Sequence, residues 1–350
     1  MQLLASPDAA HNLMKRRGGV TKLLITNRQS FNGLENFVGT YELLINGKVV
    51  NQGKLPNLKL RPRMSKIIAL PCRFNAASSD EVQLSIFWKL KRETWFGAKS
   101  HLVAWDQVEL QKRPSRAKKK TQIKADSKQT TIQSSKKSEF EELLVAPVQL
   151  CIWRAAIDND GYKLMPELFE KQGTGGQALR NWQRAGIDKV DAEDLVNHKV
   201  SRSFSSDGRS VLFEHKVEVP KSLADLPRVG VSFALPKSFE QIRWFGRGPG
   251  ENYPDRKSAS LLGVWSGGPD QSPYLIPQEF GLRTDTRWLE LTSTELKKTI
   301  RIEVLQPNCL HFSATNYSAN DLFIAENQVD LKARPDHCFK AFFKSYYIII

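Results

Sequence analysis

Between Val20 and Leu110 the chain alternates short apolar runs with turn residues. The runs are TKLLITN, TYELLINGKVVNQGKL, SKIIALPCRF, EVQLSIFWKL and HLVAWDQVEL, each rich in β-branched or aromatic side chains. Runs this short, with no 3.6-residue periodicity, predict strands rather than helices. Asn46-Gly47 falls between two of them, and both residue types accept the positive φ of a two-residue hairpin turn. Pro56, Pro62 and Pro71 bound other strands, since proline cannot donate to a sheet ladder. Several short strands in sequence predict an antiparallel, immunoglobulin-like β-sandwich over residues 20–111, behind a short N-terminal remnant, residues 1–19.

Residues 112–138 break the pattern. They are basic, rich in Ser, Thr and Gln, and without a hydrophobic repeat, so they predict a solvated linker. Residues 139–350 then return to strand-like runs around one helix-compatible stretch, QALRNWQRAGI. HKVSRSFSSDGRSVLFEHKVEV carries a second hairpin signal at Asp207-Gly208, and RVGVSFALP, FEQIRWFG, RWLELT, KKTIRIEVL and CLHFSATNYS follow. The expectation is a second all-β unit, larger than the first.

The net charge of +15 suggests nucleic acid until it is located. Ten of the basic residues and one acid lie between Lys112 and Lys137, so +9 of the charge sits in the linker and the rest of the chain carries +6. No aromatic residue is interleaved there for base stacking, which argues against a nucleic-acid partner. The four cysteines, at 72, 151, 309 and 338, are far apart, and His337-Cys338 is a poor metal pair because neighbours on a chain rarely share one ion. With no apolar stretch of membrane-spanning length and no secretory leader pattern, the expectation is a cytoplasmic protein with reduced thiols and no membrane contact.

The segment WFGRGPGENYPDRKSASLLGVW, Trp244 to Trp265, concentrates the candidate chemistry. Its Gly246, Gly248 and Gly250 imitate a phosphate cradle, yet Pro249 removes an N–H donor, Pro254 stands where a helix should start, and no Lys-Ser/Thr pair follows. Asp158-Asn159-Asp160 resembles the start of a calcium loop, but the twelfth residue is Phe169 rather than glutamate, leaving an Asx-rich turn as the reading. No Ser/His/Asp or Cys/His arrangement is readable. Glu251, Asp255, Glu279 and Asp285 could supply a glycosidase carboxylate pair, although each has a basic residue nearby and spacing selects no pair.

IRWFGRGPGENYPDRKSASLLGVW followed by PYLIPQEFGLRTDTRWLEL resembles the C-terminal domain of the long bacterial β-galactosidases of glycoside hydrolase family 2. WRAAIDNDG with NWQRAGID is similar to the family's upstream segments, and ITNRQSFNGLENFVGTYELLINGKVVNQGKL to the preceding sandwich domain. Ala156 stands where the family has proline. The resemblance implies an all-β fold, an immunoglobulin-like sandwich followed by a large galactose-mutarotase-like supersandwich.

It also implies a parent activity, retaining hydrolysis of terminal β-galactosides. The family's catalytic glutamates and its magnesium and sodium ligands belong to a (β/α)₈ barrel not visible in this sequence, so no catalytic residue, metal site or cofactor is assigned here. The family's last strands lead to a glycine-rich turn bearing a tryptophan. Here the sequence reads HCFKAFFKSYYIII instead, whose apolar end looks like a shifted frame and suggests an incomplete second domain. The expectation is a C-terminal β-galactosidase piece, inactive alone. The alternatives are a small subunit completing a separate barrel chain, and a carbohydrate-binding or structural module, with self-association open. Arg247, Glu251, Asn252, Tyr253, Asp255 and Arg256 are the candidate sugar contacts, and Trp244, Tyr253 and Trp265 the candidate stacking platforms. In the same segment Arg247, Glu251, Asp255 and Arg256 also read as residues that lock the loop by pairing charges.

Overall fold

A computed structural model describes residues 4–5, 21–70, 74–112, 137–164, 177–205, 209–223, 225–304, 309–343 and 347–349. These divide into two compact units, one within residues 1–117 together with Leu261–Val264, the other within residues 118–260 and 265–350. The chain is an all-β sandwich protein, as the strand pattern predicts.

In the first unit, β1 (Leu4–Ala5), β2 (Thr21–Thr26) and β5 (Ser65–Leu70) form a sheet in the order β1-β2-β5. A second sheet runs β4-β3-β6-β7, from β3 (Phe37–Ile45), β4 (Lys48–Lys54), β6 (Val82–Leu90) and β7 (Leu102–Gln111). Successive side chains of a strand point to opposite faces, so alternate residues can share one core. Leu23 and Ile25 of β2 therefore meet Leu43 of β3, Leu84, Ile86 and Trp88 of β6 and Val108 of β7. The hairpin joining β3 to β4 turns at Asn46 and Gly47, with φ of 50° and 77°. Both are left-handed, as a turn matching the strand twist requires.

Two larger sheets belong to the second unit, except for Leu261–Val264 of one strand, which group with the first. One runs β13-β12-β15-β16-β19-β10-β9, from β9 (Asn197–Phe204), β10 (Val211–Glu218), β12 (Gln241–Gly248), β13 (Leu261–Gly267), β15 (Trp288–Ser293), β16 (Lys298–Val304) and β19 (Tyr347–Ile349). The other runs β14-β17-β18-β11-β8, from β8 (Ala146–Cys151), β11 (Gly230–Pro236), β14 (Arg283–Thr286), β17 (Leu310–Thr315) and β18 (Asp336–Phe343). Phe213, Trp244, Leu289 and Ile302 of the first sheet and Phe233, Phe312, Phe339 and Ala341 of the second join in one core. Helix α1 (Glu139–Leu143) adds Phe140, edge-on to Phe213 and Phe233 at 6.1 and 5.6 Å. Reciprocal capping by Ser138 and Glu141 fixes this helix start.

The helix-compatible stretch forms α2 (Gln177–Arg184), which buries Leu179 and Trp182 and is followed by Gly186 at φ 75°. Short helices α3 (Ala192–Leu195) and α4 (Ala319–Ile324) complete the described set. The apolar end of the sequence is not idle, because Tyr347–Ile349 pairs with both β10 and β16. The Asp207-Gly208 turn, Cys72 and nearly all of the basic linker lie outside the described residues.

One buried pair gives this unit an acid-sensitive spot. His198 on β9 and His215 on β10 stack at 5.3 Å, with a 3.0 Å contact from Nε2 of His198 to Nδ1 of His215, and Glu193 lies 3.4 Å from His198. Burial, then the neighbouring His198, push the His215 pKa down from 6.5 to about 4. Above pH 6.5 the residue is neutral folded and unfolded and adds no pH dependence. Between pH 6.5 and about 4 the unfolded chain takes up a proton that the folded chain refuses, so stability falls as the pH falls. Melting temperatures across this window should drop more steeply for the natural sequence than for His215→Gln, and equal slopes would refute the assignment.

Candidate functional site

The loop between β12 and β13 is built by close packing. A Cβ at Gly246 would lie 2.9 Å from Cα of Thr286, and one at Gly248 would lie 2.6 Å from the Trp265 ring. These glycines admit a neighbouring strand and an aromatic ring, and the Gly248–Pro249 bond is cis. Arg247 then spans the loop. Its Nε donates to Asp285 Oδ2 at 2.7 Å and its Nη1 to the Ser260 carbonyl at 2.9 Å. Lys257 reaches both oxygens of the same carboxylate at 2.8 and 3.0 Å. Burial alone would raise the Asp285 pKa, but the hydrogen bonds from Lys257 and Arg247 outweigh it and hold the group below the usual range.

Glu251 closes the other side of the loop. It accepts from Arg256 Nη2 at 2.6 Å, the Tyr274 hydroxyl at 2.8 Å and the Gly281 N–H at 2.9 Å. Burial opposes ionisation here too, and is overcome by the Gly281, Tyr274 and Arg256 bonds, so its pKa lies below the ordinary value. The Arg256 guanidinium also lies 5.2 Å from the Tyr253 ring centre. Asn252 is fully buried, and its Oδ1 accepts both the N–H and the hydroxyl of Thr284, at 2.9 and 2.6 Å. Tyr253 is half-buried with its hydroxyl enclosed, and burial, followed by Glu279 and Glu251, pushes its pKa upward. Asp255 is exposed, and no ion pair or side-chain hydrogen bond reaches it among the described residues.

Glu279 lies deeper, paired at 2.7 Å with Arg228, whose guanidinium sits 3.8 Å over the Phe342 ring. Burial would raise the Glu279 pKa, yet Arg228, with Lys340 and Arg154 behind it, leaves it lowered. Glu251, Glu279 and Asp285 are thus all held as carboxylates by donors. A glycosidase acid must instead keep its proton near neutral pH, opposite a second carboxyl across the sugar bond. This arrangement can fasten loops and accept hydrogen bonds, but it presents no protonated acid.

The candidate platforms are packed rings. Trp244 is 3% exposed, lies edge-on to Phe312 at 5.8 Å and donates Nε1 to the Arg247 carbonyl at 3.1 Å. Trp265 is half-buried and donates Nε1 to the Gly246 carbonyl at 3.2 Å. In the Asp158-Asn159-Asp160 turn, Asp160 takes both Arg154 nitrogens at 2.6 and 2.8 Å and the Ile157 N–H at 2.9 Å. His337 and Cys338 point to opposite faces of β18, and His337 is engaged by Asn316 and the Lys237 carbonyl at 2.6 and 2.9 Å. Among the described residues no group of three or more His, Cys, Asp or Glu side chains could hold a metal ion.

Sequence reading did not anticipate Arg228, Tyr274, Lys257 or the Arg283–Asp270 pair as parts of this network. Most partners lie 13 to 51 positions apart, so no local spacing marks them. Arg154 with Asp160, six positions apart, and Arg256 with Glu251, five apart, were within reach of a motif.

The sequence model of the β-galactosidase small chain matches residues 117–343, and that of β-galactosidase domain 4 matches residues 23–111. A β-galactosidase of Priestia megaterium is 24% identical across 86% of this chain and 32% of its own length. One of Vibrio cholerae is 27% identical across 89% of the chain and 33% of its own length. β-Galactosidase BgaC of Bifidobacterium adolescentis is 44% identical over 23% of the chain. The chain therefore spans about a third of the length of these first two relatives, fitting a C-terminal part. With the small-chain match covering most of the second unit and domain 4 the first, the chain belongs to the β-galactosidase small-chain family.

Proposed function

We propose that this chain supplies the two non-catalytic β units of a retaining β-galactosidase of glycoside hydrolase family 2, and that it hydrolyses no galactoside by itself. The observation that carries this reading is the state of the carboxylates in its signature segment. Glu251, Glu279 and Asp285 are each bonded by cations or N–H and O–H donors that lower their pKa, so none of these three is poised to protonate a leaving group. The family's magnesium and sodium would be held by residues outside this chain, on the barrel that also carries the acid and nucleophile.

In this reading the second unit works as a scaffold beside that barrel, on the same polypeptide or on a separate one. That the relatives are about three times as long supports a larger assembly. The cytoplasm is its proposed place, in keeping with Cys151 and Cys338 being free thiols. No helix among the described residues is long and apolar enough to cross a membrane. The test is turnover of a chromogenic β-galactoside by the purified chain, alone and then mixed with a barrel-containing remainder of a family relative. We expect none alone and a gain on mixing. Equal activity with and without the remainder would overturn the proposal.

A further inference from the structure

The outer face of the five-stranded sheet carries a polar row that the scaffold reading leaves unused. Residues directly opposite in antiparallel strands point to the same side. The register places Ser313 of β17, Lys340 of β18, Ser232 of β11 and Gln149 of β8 opposite one another in turn. Their neighbours Phe233 and Phe339 point into the core, so the four polar side chains share the other face. A cleft of about 420 Å³ opens over this face, lined by Gln149, Ser232 and Lys340 together with Trp153, Asp336 and Cys338.

Lys340 is the anomaly. Only 4% of it is exposed, and among the described residues no hydrogen bond or ion pair reaches its ammonium. Glu279 feels the charge of Lys340, but the hydrogen bonds of the surrounding charged groups go to one another. Arg228 pairs with Glu279 at 2.7 Å, Arg154 with Asp160 at 2.6 Å, and Arg334 lies 3.4 Å from Asp336 and 3.6 Å from Asp321. The Cys338 thiol next along the same face is pushed above its ordinary pKa by burial, so it stays neutral and offers no counter-charge. By contrast Lys163 gives its ammonium to two carbonyls at the end of α4. An oxyanion in the cleft would give this ammonium a charge-assisted hydrogen bond while accepting from the flanking hydroxyl and amide donors.

We propose that this row binds the carboxylate or phosphate group of a small, sugar-sized anion, with Lys340 as its counter-ion and Ser232 and Gln149 as donors. The cleft is far larger than a bare oxyanion needs and falls in the range of small-molecule sites. Trp153 on its wall gives the body of the ligand an apolar surface. This site is independent of whether the chain takes part in galactoside hydrolysis.

The full chain is titrated with galactonate, galactose 6-phosphate, inorganic phosphate and galactose, following melting temperature and tryptophan fluorescence. We expect saturable stabilisation by galactonate, galactose 6-phosphate or both, with the one that binds identifying the anion source, and none by galactose. Lys340→Met should bind that anion at least tenfold more weakly. Ser232→Ala should weaken binding severalfold with the fold intact. The proposal is overturned by a flat response to both sugar anions, by equal binding to Lys340→Met, by galactose binding as tightly, or by inorganic phosphate binding better than either.

Discussion

Glu279→Ala should destabilise the second unit by about 3–5 kcal/mol, because the substitution strands the Arg228 guanidinium in the interior. Side-chain exposure is 8% for Arg228 and 1% for Glu279, so water cannot replace the lost carboxylate. Phe342 already covers the guanidinium at 3.8 Å, which leaves the charge little freedom to swing outward. For a unit of this size the loss corresponds to a fall in melting temperature of about 10 °C. The double variant Glu279→Met with Arg228→Met should recover much of it, since removing both charges leaves no orphan. If Glu279→Ala melts within about 2 °C of the natural sequence, the pair is not the buried lock described above. Thermal unfolding followed by near-ultraviolet circular dichroism reads the difference.

Asn252→Ala is expected to cost about 2–3 kcal/mol, as it leaves buried polar groups of Thr284 without their acceptor. Asn252 and Thr284 are both fully buried, and one Oδ1 serves the Thr284 amide at 2.9 Å and its hydroxyl at 2.6 Å. The same side chain donates to the Gly250 carbonyl at 3.1 Å, so the substitution also loosens the loop. Thr284→Val tests the account from the other side. It removes the hydroxyl but keeps the amide bonded, and should cost only about 1 kcal/mol. Chemical denaturation of both variants gives the ratio directly, and a Thr284→Val cost equal to that of Asn252→Ala would contradict the assignment.

Local signals carried the strands and their turns. Asn46-Gly47 could be read as a hairpin because the turn's geometry is a property of those two residues, and their φ values bear it out. QALRNWQRAGI could be read as a helix because Leu179 and Trp182 are three apart and Gly186 follows. The site was legible only as a segment. Arg247 and Asp285 are 38 positions apart and Arg228 and Glu279 are 51, so their pairing depends on which strands become neighbours. Burial was invisible for the same reason: Trp244 looks like a platform in sequence, and the sheet register turns it inward against Phe312. The apolar end gave no pattern of its own, since three residues of β19 gain meaning only between β10 and β16.

If the chain is a scaffold unit whose carboxylates serve as locks, then the most direct measurement is turnover of a chromogenic β-galactoside by the purified full chain, compared with its Glu251→Gln and Asp285→Asn variants. We expect no turnover above a mock preparation in all three. Turnover that rises in proportion to the natural chain and disappears in either variant would contradict the account, because it would make one of those bonded carboxylates a catalytic group.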